Sequence, residues 1–226
     1  MGMRCSRNHE FMPTTRKTKR QQLVELLLAE DFPAIAALAA HGGGVVTLLL
    51  QLLYEPGSLL HWRATEALGY LARTHPKRIK DIIPRLLWSL NEDSASFGWG
   101  AAAVLGEIGR QNYPLVEDII LMLFHFVEEE FSREGMLWGL GRLGQAHPEV
   151  VQDAAAAIQA CLEDANPQSR AYAAWCLGII RAPEASPALR RLMDDPEPVK
   201  LYEAGALRET TVGQVAREAL QRLADA

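Results

Sequence analysis

Four segments of the chain share a Leu-Gly pair at a nearly constant spacing, and this repeat constrains the fold more than any other feature. Consecutive pairs lie 37, 35 and 37 residues apart. Self-similarity at such a period is typical of stacked two-helix units, each of which buries its apolar face against its neighbours. The repeat therefore predicts an all-α protein with the architecture of a right-handed α-α superhelix. The four pairs are Leu68-Gly69, Leu105-Gly106, Leu140-Gly141 and Leu177-Gly178.

Composition agrees with this prediction and excludes several classes of protein. Hydrophobic residues make up 49% of the 226 residues, but aromatic residues only 7%, which is too few for a β-rich fold. The formal net charge of −5 lacks the excess of Lys and Arg that marks nucleic-acid binding. The longest apolar run, 119–127, is far shorter than the ~20 residues of a membrane-spanning helix. Three unpatterned cysteines fit a reducing compartment, so we expect a cytoplasmic protein.

The chain divides into a tail, a helical cap and a repeat region. Residues 1–13 are expected to form a flexible basic tail, which is better explained as a solvated terminus than as a contact for an acidic partner. Residues 14–226 are expected to form a single domain. Within it, 14–43 form an N-terminal helical cap and 44–226 form the repeats, about five helical pairs in all.

Signals for helix starts recur in the same order along the chain. Thr14 or Thr15 can cap a first helix that ends near Ala29, and Asp31 can cap a second. A proline, tolerated in the first turn of a helix but not in its interior, opens each later unit. These prolines are Pro76, Pro114, Pro148 and Pro183. The outer and inner helices are predicted at 45–54 and 60–74, 77–90 and 98–110, 115–127 and 133–145, and 149–162 and 169–181, with a fifth outer helix at 185–193.

The fifth repeat contains an insertion. Its repeat leucine, Leu220, follows the previous one by 43 residues. Extended-type segments flank Glu203-Ala204-Gly205, which predicts a small β-hairpin or an ordered loop near 197–210. An all-helical alternative would place a glutamate in the core. Thr211 and Gln214 then form a plausible capping box for the last helix.

Two stretches of the repeat region share an outer helix containing a proline, followed by an acidic turn. They read DIIPRLLWSLNEDSASFGWGAAAVLGEIG and ASPALRRLMDDPEPV. This pattern resembles HEAT-like repeats of the phycobilisome-lyase type, over about 44–226. Trp88-Ser89-Leu90-Asn91 and Gly98-Trp99 are also similar to the signature of an uncharacterised bacterial HEAT subfamily. The resemblance implies a scaffold fold, but not the lyase activity of some relatives.

The resemblance also implies a ladder of ion pairs. In such repeats an acidic residue of the turn often pairs with an arginine that opens the inner helix. Arg133 and Arg170 occupy the arginine position, whereas His61 and Gly98 replace it in the first two repeats. We therefore expect a partial ladder. The acidic positions hold Glu55, Asp93, Glu128 and Asp164.

Helical phase divides each inner helix into two sides. Positions −4, −1, 0 and +3 relative to the repeat leucine share one side, which is the predicted core stripe. One tryptophan per segment, at −6 or −2, lies opposite, on the side that lines the concave surface of a HEAT stack. The recurrent Gly at +1 costs about 1 kcal/mol relative to Ala, which indicates close approach of a bulky group. The core stripe consists of Ala64, Ala67, Leu68, Leu71, Ala101, Val104, Leu105, Ile108, Met136, Gly139, Leu140, Leu143, Ala173, Cys176, Leu177 and Ile180.

Two hypotheses explain the line of tryptophans. Each Trp can fill the gap over the glycines of the neighbouring inner helix, which we favour because large aromatic side chains are mostly buried. Alternatively, the line forms a groove that grips a partner segment. Charges of mixed sign on this side suit a protein segment better than a nucleic-acid backbone. The candidate groove residues are Trp62, Arg63, Glu66, Tyr70, Arg73, Trp99, Glu107, Arg110, Glu134, Trp138, Arg142, Tyr172 and Trp175.

The turn inside the second repeat is the most unusual connection, because four hydrogen-bonding residues precede the helix start at Gly98. They could bind an anion at the helix N-terminus. A capped inter-helix turn explains them as well, and it is the interpretation we favour. The four residues are Asn91, Glu92, Asp93 and Ser94.

The sequence contains no motif for catalysis or metal binding. Its six histidines are scattered, without a pair at the i, i+4 spacing of a metal-binding helix. HEAT-fold iron hydroxylases resemble this architecture, but they use His-Glu pairs on inner helices, and the single pair here, His9-Glu10, lies in the tail. We therefore predict no catalytic, cofactor or metal site.

The function predicted from these features is a non-enzymatic scaffold that binds a protein or peptide segment along the Trp-lined concave groove. One alternative is a HEAT-like DNA-repair glycosylase, or another nucleic-acid-binding repeat protein, in which Trp99, Trp138 and Glu107 hold a nucleotide. The acidic chain and the mixed groove charges argue against it. Another alternative is a phycobilin-lyase-like or other HEAT-associated enzyme accessory protein. No membrane association is predicted, and the oligomeric state is left open.

Overall fold

The chain forms a stack of helical pairs that follows a two-helix cap, an α-α superhelix, in agreement with the sequence. The structure is a computed structural model that describes residues 18–42, 44–91 and 98–225. Among these residues, no helix is both long and apolar enough to cross a membrane. In chain order the elements are α1 (Lys19–Leu28), α2 (Phe32–Ala40), α3 (Val45–Leu52), α4 (Leu59–Thr74), α5 (Pro76–Lys80), α6 (Ile83–Leu90), α7 (Gly98–Gln111), α8 (Ile120–His125), α9 (Glu130–Gly144), α10 (Pro148–Val151), α11 (Ala155–Ala160), α12 (Pro167–Ile179), α13 (Ser186–Arg191), β1 (Pro198–Glu203), β2 (Ala206–Thr211) and α14 (Val212–Ala224).

The cap begins later than the sequence suggested. Thr18, not Thr14 or Thr15, caps α1: its side chain accepts a hydrogen bond from the Gln21 backbone N–H, and the Gln21 side chain accepts one from the Thr18 N–H. This reciprocal pair is a capping box. The two threonines proposed earlier lie outside the described residues. Asp31 caps α2 as predicted, since its Oδ1 accepts a hydrogen bond from the Ala34 N–H at 3.0 Å.

The inner helices α4, α7, α9, α12 and α14 pack against one another in sequence and contain the core. The four predicted inner helices are present, with ends within a few residues of the expected positions. Every residue of the predicted core stripe is buried. The opposite side of the inner helices is largely buried as well, at Trp62, Trp138 and Trp175, so these helices are covered on both sides.

The outer helices are shorter and more broken than predicted. The expected helix at 77–90 is divided into α5 and α6, and Pro84 lies in the first turn of α6. A proline has no N–H to donate to the residue four before it, so the helix ends and restarts there. The expected helices at 115–127 and 149–162 likewise contain 3₁₀ turns. These turns are Tyr113–Leu115, Glu117–Ile119, Gln152–Ala154 and Cys161–Glu163.

The insertion in the fifth repeat is a β-hairpin. Strands β1 and β2 pair antiparallel from Pro198↔Thr211 to Glu203↔Ala206. The two turn residues, Ala204 and Gly205, have φ values of 49° and 79°. Positive φ at both central residues is the geometry of the tight turn that matches strand twist. Helix α14 follows β2 directly, and Thr211 Oγ1 caps it by accepting from the Gln214 N–H at 3.2 Å. This is one half of the predicted capping box, since the Gln214 side chain donates instead to Glu218 at 3.1 Å.

The repeat glycines allow inner helices to approach closely. A Cβ atom added to Gly106 would collide with the backbone of Gly139 in the next inner helix. One added to Gly141 would collide with the ring of Trp175, and one added to Gly178 would lie 2.8 Å from the Cα of Ala219. The close approach predicted from the Leu-Gly pairs is therefore present, but the approaching group is bulky only at Gly141, and at Gly106 and Gly178 it is the backbone of the next inner helix.

Replacing Gly106 by Ala should destabilise the protein, because the new methyl group meets backbone atoms that cannot rotate away. We expect a loss of about 2 kcal/mol, which exceeds the gain of about 1 kcal/mol in helix propensity. Urea unfolding followed by circular dichroism measures this change. Gly109→Ala is the matched control in the same helix, since its methyl group would meet only side-chain atoms of Leu143 and Val116. Equal midpoints for Gly106→Ala and the parent chain would contradict the close backbone contact.

His61 should make stability depend on pH. The imidazole is buried, its Nδ1 lies 3.2 Å from the Leu53 carbonyl oxygen, and burial lowers its pKa to about 4. The unfolded-state pKa is ~6.5. The contribution of His61 to the free energy of unfolding is therefore fully present above pH ~6.5. It is lost as the pH falls toward 4, which lowers the free energy of unfolding by up to about 3 kcal/mol.

The measurement compares urea midpoints at pH 7 and pH 4.5 for the parent chain and two variants. His61→Gln should flatten the pH dependence. His147→Gln, which changes a partly exposed imidazole, should preserve it. An unchanged pH dependence in His61→Gln would show that another group is responsible.

Candidate functional site

The side of the inner helices opposite the core stripe is covered by the β-hairpin. We call this side, which includes Trp62, Trp138 and Trp175, the inner face. These three tryptophans are at most 1% exposed. They therefore do not line an open groove, and of the two sequence-based hypotheses the buried one describes them. The side chain of Trp99 lies outside the described part of the chain.

Tyr202, near the end of β1, packs against two of the tryptophans. Its ring stacks on the Trp62 ring with centroids 5.2 Å apart and an interplanar angle of 6°. Trp138 lies against the same pair, 4.7 Å from Trp62 and 6.1 Å from Tyr202. The Tyr202 hydroxyl donates a hydrogen bond of 2.6 Å to Glu66 Oε2 on α4. Tyr202 is itself fully buried, and it thus places its hydroxyl beside a mostly buried carboxylate while its ring packs on Trp62 and Trp138.

The backbone of β1 is held by side chains of the inner helices. Gln168 of α12 donates through Nε2 to the Lys200 carbonyl at 2.9 Å and accepts the Lys200 N–H through Oε1 at 3.1 Å. The indole N–H of Trp138 donates to the Tyr202 carbonyl at 3.0 Å. These groups replace the neighbouring strand that β1 lacks, so the edge of the hairpin nearest the helices is satisfied.

Glu203 is the second anchored side chain of the hairpin. Its Oε1 accepts hydrogen bonds from the Trp175 indole N–H at 2.9 Å and from Arg222 of α14 at 2.8 Å. Arg208 lies 3.6 Å from its other oxygen. Two tryptophans therefore donate hydrogen bonds to β1: Trp138 to the Tyr202 carbonyl and Trp175 to the Glu203 carboxylate.

The tip of the hairpin reaches the N-terminal cap. Arg63 and Glu30 form an ion pair of 2.6 Å, in which the Arg63 side chain is 7% exposed. A Cβ on Gly205 would lie 3.0 Å from Glu30 Oε2 and 3.2 Å from Arg63 Nη1. The hairpin therefore spans the inner face from the fifth repeat to the cap, and Gly205 allows the turn to rest against this pair.

Charged residues of three successive repeats meet beneath the hairpin. Arg142 donates to Glu107 Oε2 at 2.6 Å and to Glu66 Oε1 at 3.1 Å. Arg110 donates to Glu107 at 2.6 Å. The Arg142 guanidinium also lies 5.2 Å from the centre of the Trp138 ring. Burial raises the pKa of Glu66, and the Tyr202 hydroxyl and Arg142 partly offset this effect.

The remaining predicted groove residues lie at the margins of this cluster. Tyr172 is buried, with its ring centroid 6.2 Å from that of Trp62. Arg73 is exposed and lies 4.8 Å above the Tyr70 ring, at the edge of the inner face near α2. Glu134 accepts a hydrogen bond from Asn166 Nδ2 at 2.5 Å.

Sequence reasoning missed the residues that complete the cluster. They are Gln168, Tyr202, Glu203 and Arg222, none of which belongs to the Trp-bearing pattern. A signal was present for one of them, because Tyr202 is the single aromatic residue of the insertion.

Of the four hydrogen-bonding residues in the turn of the second repeat, the structure describes only Asn91. Asn91 donates through Nδ2 to the Leu87 carbonyl at 2.8 Å, so it satisfies the C-terminal end of α6. Glu92, Asp93 and Ser94 lie outside the described residues. The anion site proposed for this turn therefore stays a prediction.

The part of the chain that the structure describes contains no cluster of three or more His, Cys, Asp or Glu residues that could hold a metal ion. An open cavity of about 320 Å³ lies between the third and fourth pairs, lined by Arg133, Cys161 and Asp164 among others. Arg133 and Asp164 pair with each other at 2.7 Å. Burial raises the pKa of Cys161 to about 11, so its thiol is a poor nucleophile at neutral pH.

Both arginines of the expected ladder form ion pairs in the second half of the stack, but of the expected acidic positions only Asp164 takes part, and Asp195 is an additional partner. Arg133 pairs with Asp164 of the following turn, and Arg170 pairs with Asp195 at 2.8 Å. Both arginines also donate to backbone carbonyls of their own turns, at Val127 for Arg133 and at Asp164 for Arg170. Each arginine therefore ties one repeat to the next.

Comparisons with known proteins agree with this architecture. The HEAT-repeat pattern matches residues 130–208. One engineered protein aligns with a TM-score of 0.51 over 92% of this chain and 98% of its own, at 17% identity. Another aligns with a TM-score of 0.53 over 95% of this chain and 56% of its own, also at 17% identity. A computationally designed armadillo repeat protein for modular peptide recognition gives a TM-score of 0.49 over 89% of this chain and 98% of its own, at 16% identity.

These similarities concern the fold. The two engineered structures share the course of the backbone, but identities of 17% carry no information about function. No curated protein sequence matches the chain. The segment matched to HEAT repeats contains the arginine ladder and two of the four Leu-Gly helices. The matched segment covers about a third of the chain, and the stacked helical pairs extend a similar architecture over the rest of the described residues.

Proposed function

We propose that this protein is a non-enzymatic scaffold that binds an extended segment of a partner protein on its inner face. The observation that carries the proposal is the way this face holds β1. Gln168 and Trp138 bind the backbone of the strand at Lys200 and Tyr202. Contacts to main-chain groups do not depend on the side chains of the bound segment, so the same groups suit an extended segment of another protein.

The charges of the inner face support a protein partner over a nucleic acid. Glu66 and Glu107 lie beside Arg142 and Arg110, so the cations there are already paired with carboxylates. Binding to a phosphate backbone requires unpaired Lys and Arg in excess. The predicted groove residues that remain at least partly exposed include both signs of charge; they are Glu66, Tyr70, Arg73, Arg110 and Glu134.

The enzymatic alternatives gain less support. The glycosylase hypothesis assigns a nucleotide to Trp138 and Glu107, but both are fully buried and Glu107 is bound by two arginines. A lyase-like or other accessory function would also use a protein partner, so it stays compatible with a scaffold. Cys161 and Cys176 are buried free thiols, which fits the cytoplasmic location that we propose.

Selection of a displayed random-peptide library against the immobilised full chain tests the proposal. We expect peptides that bind with micromolar Kd. A photo-crosslinker in a selected peptide should label the inner helices α4, α7, α9 and α12 or the hairpin, rather than the outer helices. Labelling confined to the outer helices, or the absence of any selected peptide, would count against this function.

A matched pair of charge reversals tests which side is used. Arg73→Glu alters an exposed residue at the edge of the inner face, and Lys77→Glu alters an exposed residue of the outer helix α5. We expect Arg73→Glu to change peptide affinity about tenfold and Lys77→Glu to leave it unchanged. Binding of duplex DNA at low salt, in the absence of peptide binding, would favour the nucleic-acid alternative instead.

A further inference from the structure

The contacts of β1 with the inner face fall into two classes. The first class holds main-chain atoms: Gln168 at Lys200, and Trp138 at the Tyr202 carbonyl. The second class recognises two side chains, the phenol of Tyr202 and the carboxylate of Glu203. An external strand in the same position would keep the first class with any sequence. It would keep the second only with a matching pair of residues.

The Tyr202 position selects for a hydroxyl group. The ring lies on Trp62, and the hydroxyl donates to Glu66, whose other oxygen is held by Arg142. Phenylalanine would fill the aromatic space but would leave the buried Glu66 oxygen without this donor. A site built to bond a hydroxyl discriminates strongly against an analogue that lacks it.

The next position selects for an acidic group. Glu203 accepts from the Trp175 indole and from Arg222, which belong to the inner helices α12 and α14. A neutral amide would weaken the charged contact with Arg222, because a hydrogen bond between two ionised partners is roughly twice as strong as a neutral one. Together the contacts at these two positions favour a segment in which a tyrosine is followed by an acidic residue.

We propose that the hairpin is a self-ligand: β1 occupies a binding site for an extended protein segment in which a tyrosine precedes an acidic residue, and a partner carrying that pair exchanges with it. This proposal rests on the proposed function, since it names the segment that the inner face binds. The occupant follows from the chemistry of the site, because the aromatic rings, the Glu66 acceptor and Arg222 complement that pair.

The attachment of the hairpin fits such an exchange. Its base is fixed to the fifth repeat, where the Val212 N–H donates to Glu197 and the Gly213 N–H donates to Asp195. Its far end is held on α4 and α9 through the Tyr202 side chain and carbonyl and by the contact of the turn with Arg63. Glu203 adds contacts with Trp175 of α12 and Arg222 of α14. An exchange would therefore break the side-chain contacts of both Tyr202 and Glu203, while the base of the hairpin stays joined to the fifth repeat. A tethered ligand competes at a high effective concentration, so an external segment binds the intact chain weakly.

The test uses a synthetic peptide of residues 197–204, EPVKLYEA. Two variant peptides replace either its tyrosine by Phe or the glutamate that follows this tyrosine by Gln. Binding to the full chain and to Tyr202→Ala is measured by titration calorimetry, with the circular dichroism spectrum as the check on folding. We expect Tyr202→Ala to bind the peptide at least ~10-fold more tightly than the parent chain, because the competing side chain is gone. Glu209→Ala, an exposed residue of β2, should bind as the parent chain does.

The peptide variants test recognition of the pair itself. The Phe form should bind Tyr202→Ala at least ~10-fold more weakly than the Tyr form. The Gln form should also bind more weakly. A folded Tyr202→Ala chain that binds the peptide no better than the parent, or that binds the Phe form equally well, would overturn the proposal.

A second variant covers the case in which Tyr202→Ala does not fold. Pro198 and Thr211 are paired at the base of the hairpin. Residues 199–210 can therefore be removed and the two paired residues joined by two glycines without displacing α14. This shortened chain should bind the peptide most tightly of all. If both variants lose their helical signal, the hairpin is a structural strut and the self-ligand proposal is wrong.

The outcomes separate this proposal from the proposed function. Library peptides that crosslink to the inner face of the parent chain, combined with no gain in Tyr202→Ala, would retain the scaffold and reject the self-ligand. A gain for the Tyr-acidic peptide supports both. Failure of the library and of the probe peptide rejects both.

Discussion

The close approach of successive inner helices is the interaction on which the rest of the structure depends. It is achieved where glycine removes the side chain between two backbones, as at Gly106 and Gly139. At this separation, side chains from equivalent positions of neighbouring repeats come within hydrogen-bonding distance. Glu107 and Arg142 each follow a repeat leucine by two residues, and they meet at 2.6 Å. The glycines therefore determine which charged residues can pair as well as how tightly the helices pack.

The sign of each charge matters because the pairs are buried. Equivalent positions in a repeat array lie next to one another, so identical residues there would place like charges side by side. Here Glu107 lies between Arg110 and Arg142, and Arg142 in turn reaches Glu66. A buried ion pair of this kind gains little net stability over an apolar pair, but a missing member leaves an uncompensated charge. The opposite charges of Glu107 and Arg142 therefore suit their two repeats to lie next to each other.

Much of this arrangement follows from the sequence alone. The 3.6-residue period identified the core stripe from Ala64 to Ile180 and placed the tryptophans on the opposite side. The segments that flank Glu203-Ala204-Gly205 predicted a β-hairpin or an ordered loop, and the structure contains the hairpin. The sequence could not show that the hairpin lies on the tryptophans, because periodicity describes contacts along a helix and between neighbouring repeats. Trp138 and Tyr202 are 64 residues apart, and Tyr202 and Glu66 are 136 residues apart. Only the stacking of four repeats brings them together, so an exposed groove and a covered one have the same sequence pattern.

The reach of the hairpin also changes the cooperativity of the array. In an open stack each repeat contacts only its neighbours, so its ends can unfold independently and folding can spread from any point. Here the turn at Gly205 rests against Arg63 and Glu30, while the base of the hairpin belongs to the fifth repeat. Fraying of the first helices and loosening of the last repeat are thereby coupled through one short strand pair. With the hairpin on the inner face, the cap and the fifth repeat contact each other through it as well as through the stack. We therefore expect the two ends of the stack to unfold together.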